Sequence, residues 1–539
     1  MIEQFKNRTF IIFGSGSLAF KVISECEKNS LHISYIVDND ISKHNQLFKG
    51  YIIKKPEDIK LNENEIILIA SSYSIDIQRQ LRDLSFRAEI DYINYNLMFP
   101  YLSPNMKFSG VFEELNSIGE LLNYSIDDVG VLLKKEDEFY RAIYHNKVED
   151  TKNILKVLKE ENFYNECVIK TEITEKSTKN FPLILKHPYI KYCSDIRSWS
   201  FSMIKEGFDV IANLLVALNK NNLTLKDAHG LNLTYYEGKH RLIDFGSIIK
   251  GNLKLYVIKE LVESFIFPCV MMVNGQSLEF YKHNYYSGIK YFMIKSFLDE
   301  EGLNIFNELY NEEDINKDPY LILTNIQNWS RNYFVKTQNF SNTLWGDYQK
   351  INTKKNPENM DLKEKTVLDF LRTCNGNTLI DIAGNNGWYC YSANKNFNMS
   401  GILVDFDFNC IENAYFLFKK EKVNFVPLVN DFNNFPNNLF FLKQDIKFDV
   451  VLCLAFIHHL IFNNGFSFEK VRDSLHEVTN EYLIIEFINP IDEYVSTWIN
   501  PYFSWYNKRN FEIVFSEKYS IESVNSVSES REIYLMKKR

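Results

Sequence analysis

Thr378-Leu-Ile-Asp381-Ile-Ala-Gly384-Asn-Asn-Gly387-Trp-Tyr389 decides the fold of the last third of the chain. An apolar run ends in an acid and opens into a glycine loop, and the residues after Gly387 read as a helix. Strand, glycine turn and helix in that order begin a nucleotide-type βαβ unit. Gly384 and Gly387 are expected to bring the backbone close to a ligand where a side chain would collide. Asp381 is placed to accept from the ligand's ammonium group, directly or through water.

Working outward, Ser400-Gly-Ile-Leu-Val404 is a second strand ending in Asp405, whose carboxylate is expected to take both hydroxyls of a ribose; Asp407 is a weaker candidate. Val423 to Val429 is a third strand, followed by Asp431 to meet an adenine amino group and Phe432 to lie against its ring. A fourth strand, Phe448 to Ala455, leads into Phe456-Ile-His458-His459-Leu460, and a fifth, Tyr482 to Phe487, carries Glu486. These signals fall in order at the carboxyl ends of successive strands, where open α/β sheets bind ligands. The glycine spacing fits an S-adenosylmethionine loop better than the Gly-x-Gly-x-x-Gly of dehydrogenases. An imidazole near neutral pKa can remove a proton from an attacking hydroxyl, so His458 or His459 is expected to be the catalytic base. Glu486 would orient that histidine or bind substrate.

The whole chain has 539 residues, too many for one core, and divides by pattern into 1–103, 104–350 and 351–539. Leu102-Ser-Pro-Asn105 reads as the exit from the first region and Lys350 to Asn359 as the linker before the third. With 61 basic against 70 acidic side chains the net charge is -9, which argues against a dedicated nucleic-acid binder. The 8 cysteines form no CxxC pair and read as reduced thiols. No run approaches the ~20 apolar residues of a membrane span, and the start does not read as a signal peptide. A cytoplasmic protein is expected.

The first region repeats the nucleotide-type order. Thr9 to Phe13 is a buried strand, Gly14-Ser-Gly16 a turn, Phe20 to Lys28 a helix, and His32 to Val37 a second strand ending in Asp38; Glu65 to Ala70 is a further strand. Gly14 and Gly16 are the candidate phosphate turn, Asp38 the candidate ribose contact, and Ala19 stands where a third glycine is usual. Val37-Asp-Asn-Asp40, Gly50-Tyr-Ile-Ile53 and Pro56-Glu-Asp58 resemble small Rossmann domains attached to bacterial sugar-modifying enzymes. That resemblance implies a nucleotide or nucleotide-sugar ligand.

The middle region reads as mostly helical, with a strand–turn–strand near 230–250. Asp227 and Asn232 lie five apart in a loop, and Asp244-Phe-Gly246 follows an apolar strand. This resembles the catalytic and metal-binding loops of protein kinases and small-molecule phosphotransferases. The resemblance implies Asp227 positioning an acceptor, and Asn232 and Asp244 holding Mg with ATP if the site is active. No glycine-rich loop precedes it, Leu225 replaces the usual His, and Val168-Ile-Lys170-Thr-Glu172 is the candidate for the lysine-bearing strand. A kinase-like lobe that has lost ATP chemistry is the favoured reading.

Asp381 to Gly387, Val404 to Asp407, Leu454 to Leu460 and Ile485 to Asp492 resemble a family of class I methyltransferases linked to bacterial surface-glycan and nodulation-factor modification. Leu225 to Ala228, Asn232 and Ile243 to Ser247 join the same resemblance. Bacterial enzymes that join a kinase to a methyltransferase are similar in their parts but differ in domain order. The expectation is an α/β protein: an N-terminal Rossmann-like domain, a kinase-like, mostly helical middle domain and a C-terminal Rossmann-like methyltransferase domain. It would O-methylate a carbohydrate or other small-molecule acceptor, with peripheral contact to membrane-linked glycan machinery. The alternatives are a bifunctional kinase and methyltransferase, and a non-catalytic binding scaffold.

Overall fold

The computed structural model describes the chain apart from residues 1–7, 63, 72, 88–89, 100–112, 127–128, 195, 277–287, 312–316, 338–359, 434 and 436–445. The expected exit at 102–105 and the linker at 350–359 lie outside the described residues. The architecture is mixed α/β and divides into two compact units, residues 1–148 with 173–186, and 149–172 with 187–539.

The first unit carries a six-stranded sheet in the order β3-β4-β2-β1-β5-β6. Its strands are β1 (Thr9–Phe13), β2 (His32–Val37), β3 (Leu47–Phe48), β4 (Tyr51–Lys54), β5 (Glu65–Ile69) and β6 (Tyr92–Asn94). β1 pairs parallel to β2 on one side and to β5 on the other. The chain therefore reverses its winding at β1. The helices α1 (Ser17–Lys28) and α2 (Ser74–Asp83) cover apolar clusters on opposite faces. Such a continuous apolar strand as TFIIF is what two covered faces demand.

A second sheet was not expected. β7 (Glu120–Ile126), β8 (Gly130–Lys135), β9 (Glu138–Ile143), β10 (Glu172–Ile173) and β11 (Leu183–Pro188) pair in the order β10-β11-β9-β8-β7. The middle region, expected to be mostly helical with one strand–turn–strand, thus also carries this sheet, while helices still make up most of its described elements. Lys170 is corrected: it lies outside the strands, exposed, with its ammonium 2.5 Å from Glu172 Oε1.

In the second unit, α3 (Phe201–Asn219) is buried along most of its length. It precedes β12 (Leu223–Leu225), the hairpin β13 (Leu233–Tyr236) and β14 (Lys239–Leu242), and β15 (Ile248–Lys250), which pairs with β12.

The last sheet of this unit has seven strands: β16 (Thr378–Ile382), β17 (Ser400–Asp405), β18 (Phe425–Val429), β19 (Phe448–Cys453), β20 (Thr479–Ile488), β21 (Tyr519–Ser528) and β22 (Arg531–Lys538). Their order is β18-β17-β16-β19-β20-β22-β21. The first five are parallel, whereas β22 is antiparallel to both β20 and β21. A dinucleotide-binding sheet instead runs 3-2-1-4-5-6, so the closing hairpin sets this sheet apart.

The helices α4 (Leu362–Cys374), α5 (Trp388–Phe397) and α6 (Phe408–Glu421) share one apolar cluster with the sheet. α4 starts on a reciprocal cap: Asp361 Oδ1 accepts from Glu364 N at 2.8 Å, and Glu364 Oε2 from Asp361 N at 2.9 Å. Among the described residues no helix is long and apolar enough to cross a membrane.

Candidate functional site

β16 and β17 run in register, Asp381 opposite Leu403, so their acidic ends emerge side by side. Asp381 is 1% exposed, and Cys390 Sγ donates to its Oδ2 at 3.8 Å. Burial, with the carboxylate of Asp405 nearby, pushes its pKa up to about 8. Among the described residues its one side-chain hydrogen bond comes from a thiol, and the charge of Lys363 offsets only a small part of the burial. Asp405 is better supported: Oδ2 accepts from Asn385 N and Oδ1 from Asp407 N, both at 2.8 Å. Burial still lifts its pKa to about 6 against those backbone donors. The backbone N–H of Phe406 also favours the ionised carboxylate. Asp407 caps α6, accepting from Asn409 N and Cys410 N, and so serves the helix.

At the two glycines the structure shows close packing by the protein itself. A β-carbon on Gly384 would lie 2.5 Å from Asp381 Cγ and Oδ2 and from Leu403 Cδ1. On Gly387, at φ +78°, it would lie 2.6 Å from Phe418 Cζ. Their absent side chains are required by the protein's own packing, which seats Asp381 and anchors α5 on α6. Around them Ala383 and Asn385 are left-handed, as is Ala455 after β19. Left-handed alanines cost about 1 kcal/mol each, and such strain collects at functional sites.

Asp431 is exposed and bends back, its Oδ1 accepting from Asn433 N at 2.8 Å. Phe432 is buried, stacked on Phe435 with centroids 4.7 Å apart and edge-on to Phe456 at 5.6 Å.

His458 and His459 lie on the short helix α7 (Ile457–Phe462). His458 is 6% exposed and nearly parallel to Trp498 of α8 (Val495–Trp498), 5.9 Å away. Burial, helped by the neighbouring His459 and Arg531, lowers its pKa to about 3. His459 is half-buried, its pKa lowered by burial, and its Nδ1 is 3.4 Å from Asn463 Nδ2. Glu486 is fully buried: Oε2 accepts from Lys363 Nζ at 2.5 Å, and Oε1 is 3.8 Å from Arg531, which also pairs with Asp492 at 3.2 Å. Two carboxylates and two cations thus form an open chain of ion pairs, in which Glu486 Oε1 is buried without a hydrogen-bond partner and Glu486 is bonded to neither histidine. Lys363, Trp498 and Arg531 were not singled out in the sequence. Only the Asp361–Glu364 cap pattern points to the start of the helix that carries Lys363.

In the same unit Asn232 Nδ2 donates to Asp227 Oδ1 at 2.5 Å, while Asp244 Oδ1 accepts from Gly246 N at 2.9 Å. Burial, with Asp244 and Glu260 near, raises Asp227 to about 6 against the opposing pull of His229. Among the described residues no three His, Cys, Asp or Glu side chains are grouped to hold a metal. Magnesium at Asn232 and Asp244 would therefore draw its other ligands from water or phosphate.

In the first unit Asp38 Oδ2 accepts from Ser15 N at 2.8 Å and Ser15 Oγ at 2.5 Å, and Oδ1 from Asp40 N at 2.9 Å. Asp38 thereby ties down the turn that contains Gly14 and Gly16.

Residues 6–89 match the model of the family described as C2185-like, N-terminal. The chain is 24% identical over 375 residues to the nodulation protein NoeA of Rhizobium meliloti (strain 1021), covering 62% of this chain and 77% of that protein. Similar solved structures include an rRNA methylase from Escherichia coli, 16% identical, covering 33% of this chain and 64% of that one, with a TM-score of 0.25. The bifunctional kinase-methyltransferase WbdD is 15% identical, covering 33% and 40%, with a TM-score of 0.27. A SAM-dependent methyltransferase from Aquifex aeolicus is 15% identical, covering 34% and 95%, with a TM-score of 0.26. The chain thus spans less than two thirds of the first two of these structures.

Proposed function

We propose that the seven-stranded sheet binds S-adenosylmethionine and that the protein transfers its methyl group to an oxygen of a glycan or other small acceptor. The observation that carries this is the pairing of Asp381 and Asp405 at adjacent strand ends around the Gly384–Gly387 loop. Asp381, buried beside another acid with only a thiol donor, suits the ammonium of a cationic amino acid. Asp405, fixed by two backbone donors, suits a ribose. Bound there, S-adenosylmethionine would supply an electrophilic methyl group on sulfur.

His459 is the proton acceptor in this reading. His458 is too deeply buried and its pKa too low to compete, and with Trp498 it braces the wall behind His459. Glu486 holds Lys363 and Arg531 in place. The choice of a glycan acceptor leans on the resemblance of the strand-end motifs.

Titrating the full chain with S-adenosylmethionine in a calorimeter tests the first step. One site is expected, lost in Asp405→Ala. Absence of binding in the unaltered chain would instead favour a non-catalytic scaffold. Incubation with methyl-labelled cofactor and a lysate, followed by fractionation into lipid, glycan, protein and RNA, identifies the acceptor.

The bond from Asn232 to Asp227, with Asp244 close by, favours a second reading in which the middle region transfers phosphate. ATP turnover that disappears in both Asp227→Asn and Asp244→Asn would support it.

A further inference from the structure

His459 stands at one end of a run of rings. It meets Trp498 of α8 with centroids 5.4 Å apart, and Trp498 meets Phe462, at the end of α7, at 5.9 Å. Phe462 then meets Phe503 at 4.8 Å, and Phe503 meets Tyr502 at 5.0 Å. His459, Trp498, Phe462 and Phe503 are half-buried, so each keeps part of its surface in water, and Tyr502 is 77% exposed. A contiguous apolar surface of this kind marks a place of interaction.

The rings stand on fixed supports. Asn500 Oδ1 accepts from Tyr502 N at 2.9 Å and caps the turn that carries Tyr502 and Phe503. Tyr506, just beyond, is buried and donates its hydroxyl to the Ile488 carbonyl at 2.8 Å. His458 backs Trp498, nearly parallel to it. Rings anchored in this way lose little freedom when a ligand settles on them.

The charge pattern selects the ligand. The stretches that supply these rings, 453–468 and 494–507, contain no Asp, Glu, Lys or Arg, in a chain of which 24% is charged. Such a surface has no cation to neutralise the phosphates of a nucleic acid. It also lacks the basic residues with which an aromatic face settles on anionic lipid. What it offers is ring faces flanked by the exposed amide of Asn463 and hydroxyl of Ser504. A neutral sugar matches both, with C–H faces for the rings and hydroxyls for the polar groups. Rings in succession suit sugars in succession.

We propose that this aromatic ladder binds the acceptor as an uncharged oligosaccharide, with one sugar at His459 and further sugars over Trp498 and Tyr502. The role of His459 at its end rests on the methyltransferase reading.

Calorimetry on the full chain tests it with neutral hexasaccharides of glucose, mannose, galactose, rhamnose and N-acetylglucosamine, each beside its monosaccharide. Hexagalacturonate and phosphatidylglycerol vesicles serve as anionic probes. At least one neutral hexasaccharide is expected to bind about tenfold or more tighter than its monosaccharide. Tyr502→Ala, at an exposed position, should weaken it about tenfold with unchanged melting temperature and unchanged S-adenosylmethionine binding, and Tyr502→Phe should retain it. Trp498→Ala should weaken it at least as much. The proposal is overturned if no neutral hexasaccharide binds at millimolar concentration, if none binds tighter than its monosaccharide, or if affinity ignores both alanine substitutions. Tighter binding of the galacturonate or the vesicles overturns it as well. Sugars that bind to a chain that does not bind S-adenosylmethionine would remove the methyltransferase reading and leave the ladder, whereas the reverse would remove the ladder alone.

Discussion

Gly384 sits so close to Asp381 that a β-carbon built on it would stand 2.5 Å from the carboxyl carbon and from Oδ2. Leu403 Cδ1 closes the other side at the same distance. Gly384→Ala must therefore push Asp381 or Leu403 out of place, and overpacking of this kind costs about 1–3 kcal/mol. The expected result is a lower melting temperature together with weaker S-adenosylmethionine binding. An unchanged melting curve would show that the loop relaxes freely.

If Asp381 meets the ammonium of S-adenosylmethionine, as proposed, cofactor binding is expected to depend on pH. With a pKa of about 8 in the free protein, the group is mostly protonated at pH 7, and a cationic ligand selects its ionised form. Affinity for S-adenosylmethionine should then rise about eightfold from pH 6.5 to 7.5 and about twofold more by pH 8. Asp381→Asn should abolish that slope. The stability effect runs the other way. A raised folded-state pKa gives a contribution that is complete below about pH 4 and lost as pH rises through about 8. Asp381→Asn should therefore melt higher than the unaltered chain at pH 8.5 and close to it at pH 5, as thermal melts at both values would show.

Much of this site was legible because its signals are local. Asp381, Asp405 and Glu486 each end or punctuate an apolar strand, and the alternation of strands with helices points to a parallel sheet. What stayed hidden depends on distant partners. Glu486 was read as free to orient a histidine, but Lys363, its partner, lies 123 residues upstream. The sheet of β7 to β11 escaped because short antiparallel strands take their stability from cross-strand neighbours. The turn between β8 and β9 also carries Glu136 at positive φ in place of the usual glycine or asparagine. The physical role of Gly384 was invisible for a similar reason: the motif marks where a glycine stands, whereas the atoms that crowd it come from the fold.

The two histidines should separate in kinetics. His459→Ala removes the proposed proton acceptor and should lower methyl transfer about 10²–10⁴-fold while leaving cofactor affinity intact. His458→Phe keeps a flat ring against Trp498 and should retain most of the activity. Labelled methyl transfer to the acceptor fraction, with cofactor binding measured in parallel, reads both. Equal losses in the two variants would remove the distinction.

Ala383 and Ala455, at φ 57° and 49°, hold left-handed backbone at the ends of β16 and β19. Replacing Ala455 by glycine relieves that strain and should stabilise the chain, by about 1 kcal/mol at most, since glycine also loses more entropy on folding. Urea titration reads the gain. If strain there serves the cofactor loop, affinity for S-adenosylmethionine should fall in the same variant.

Glu412 of α6 is buried and accepts from Ser202 N at 3.1 Å and from the Ser202 hydroxyl, at the start of α3. One turn further on, Tyr415 donates to Glu206 Oε2 at 2.7 Å and its ring meets Tyr235 of the β13–β14 hairpin. The same α6 begins at Asp407, whose N–H orients Asp405. The helix that frames Asp405 is thus fastened to α3 by a buried polar contact. Glu412→Ala strips the Ser202 N–H and hydroxyl of their acceptor, a loss of about 1–3 kcal/mol for a buried group. Thermal and urea unfolding should show that cost as one shifted transition, because α3 and α6 belong to a single compact unit. Cofactor affinity should fall with it if the helix anchors the carboxylate. A split transition, or a stability loss with affinity untouched, would mean that Asp405 is held by its own turn alone.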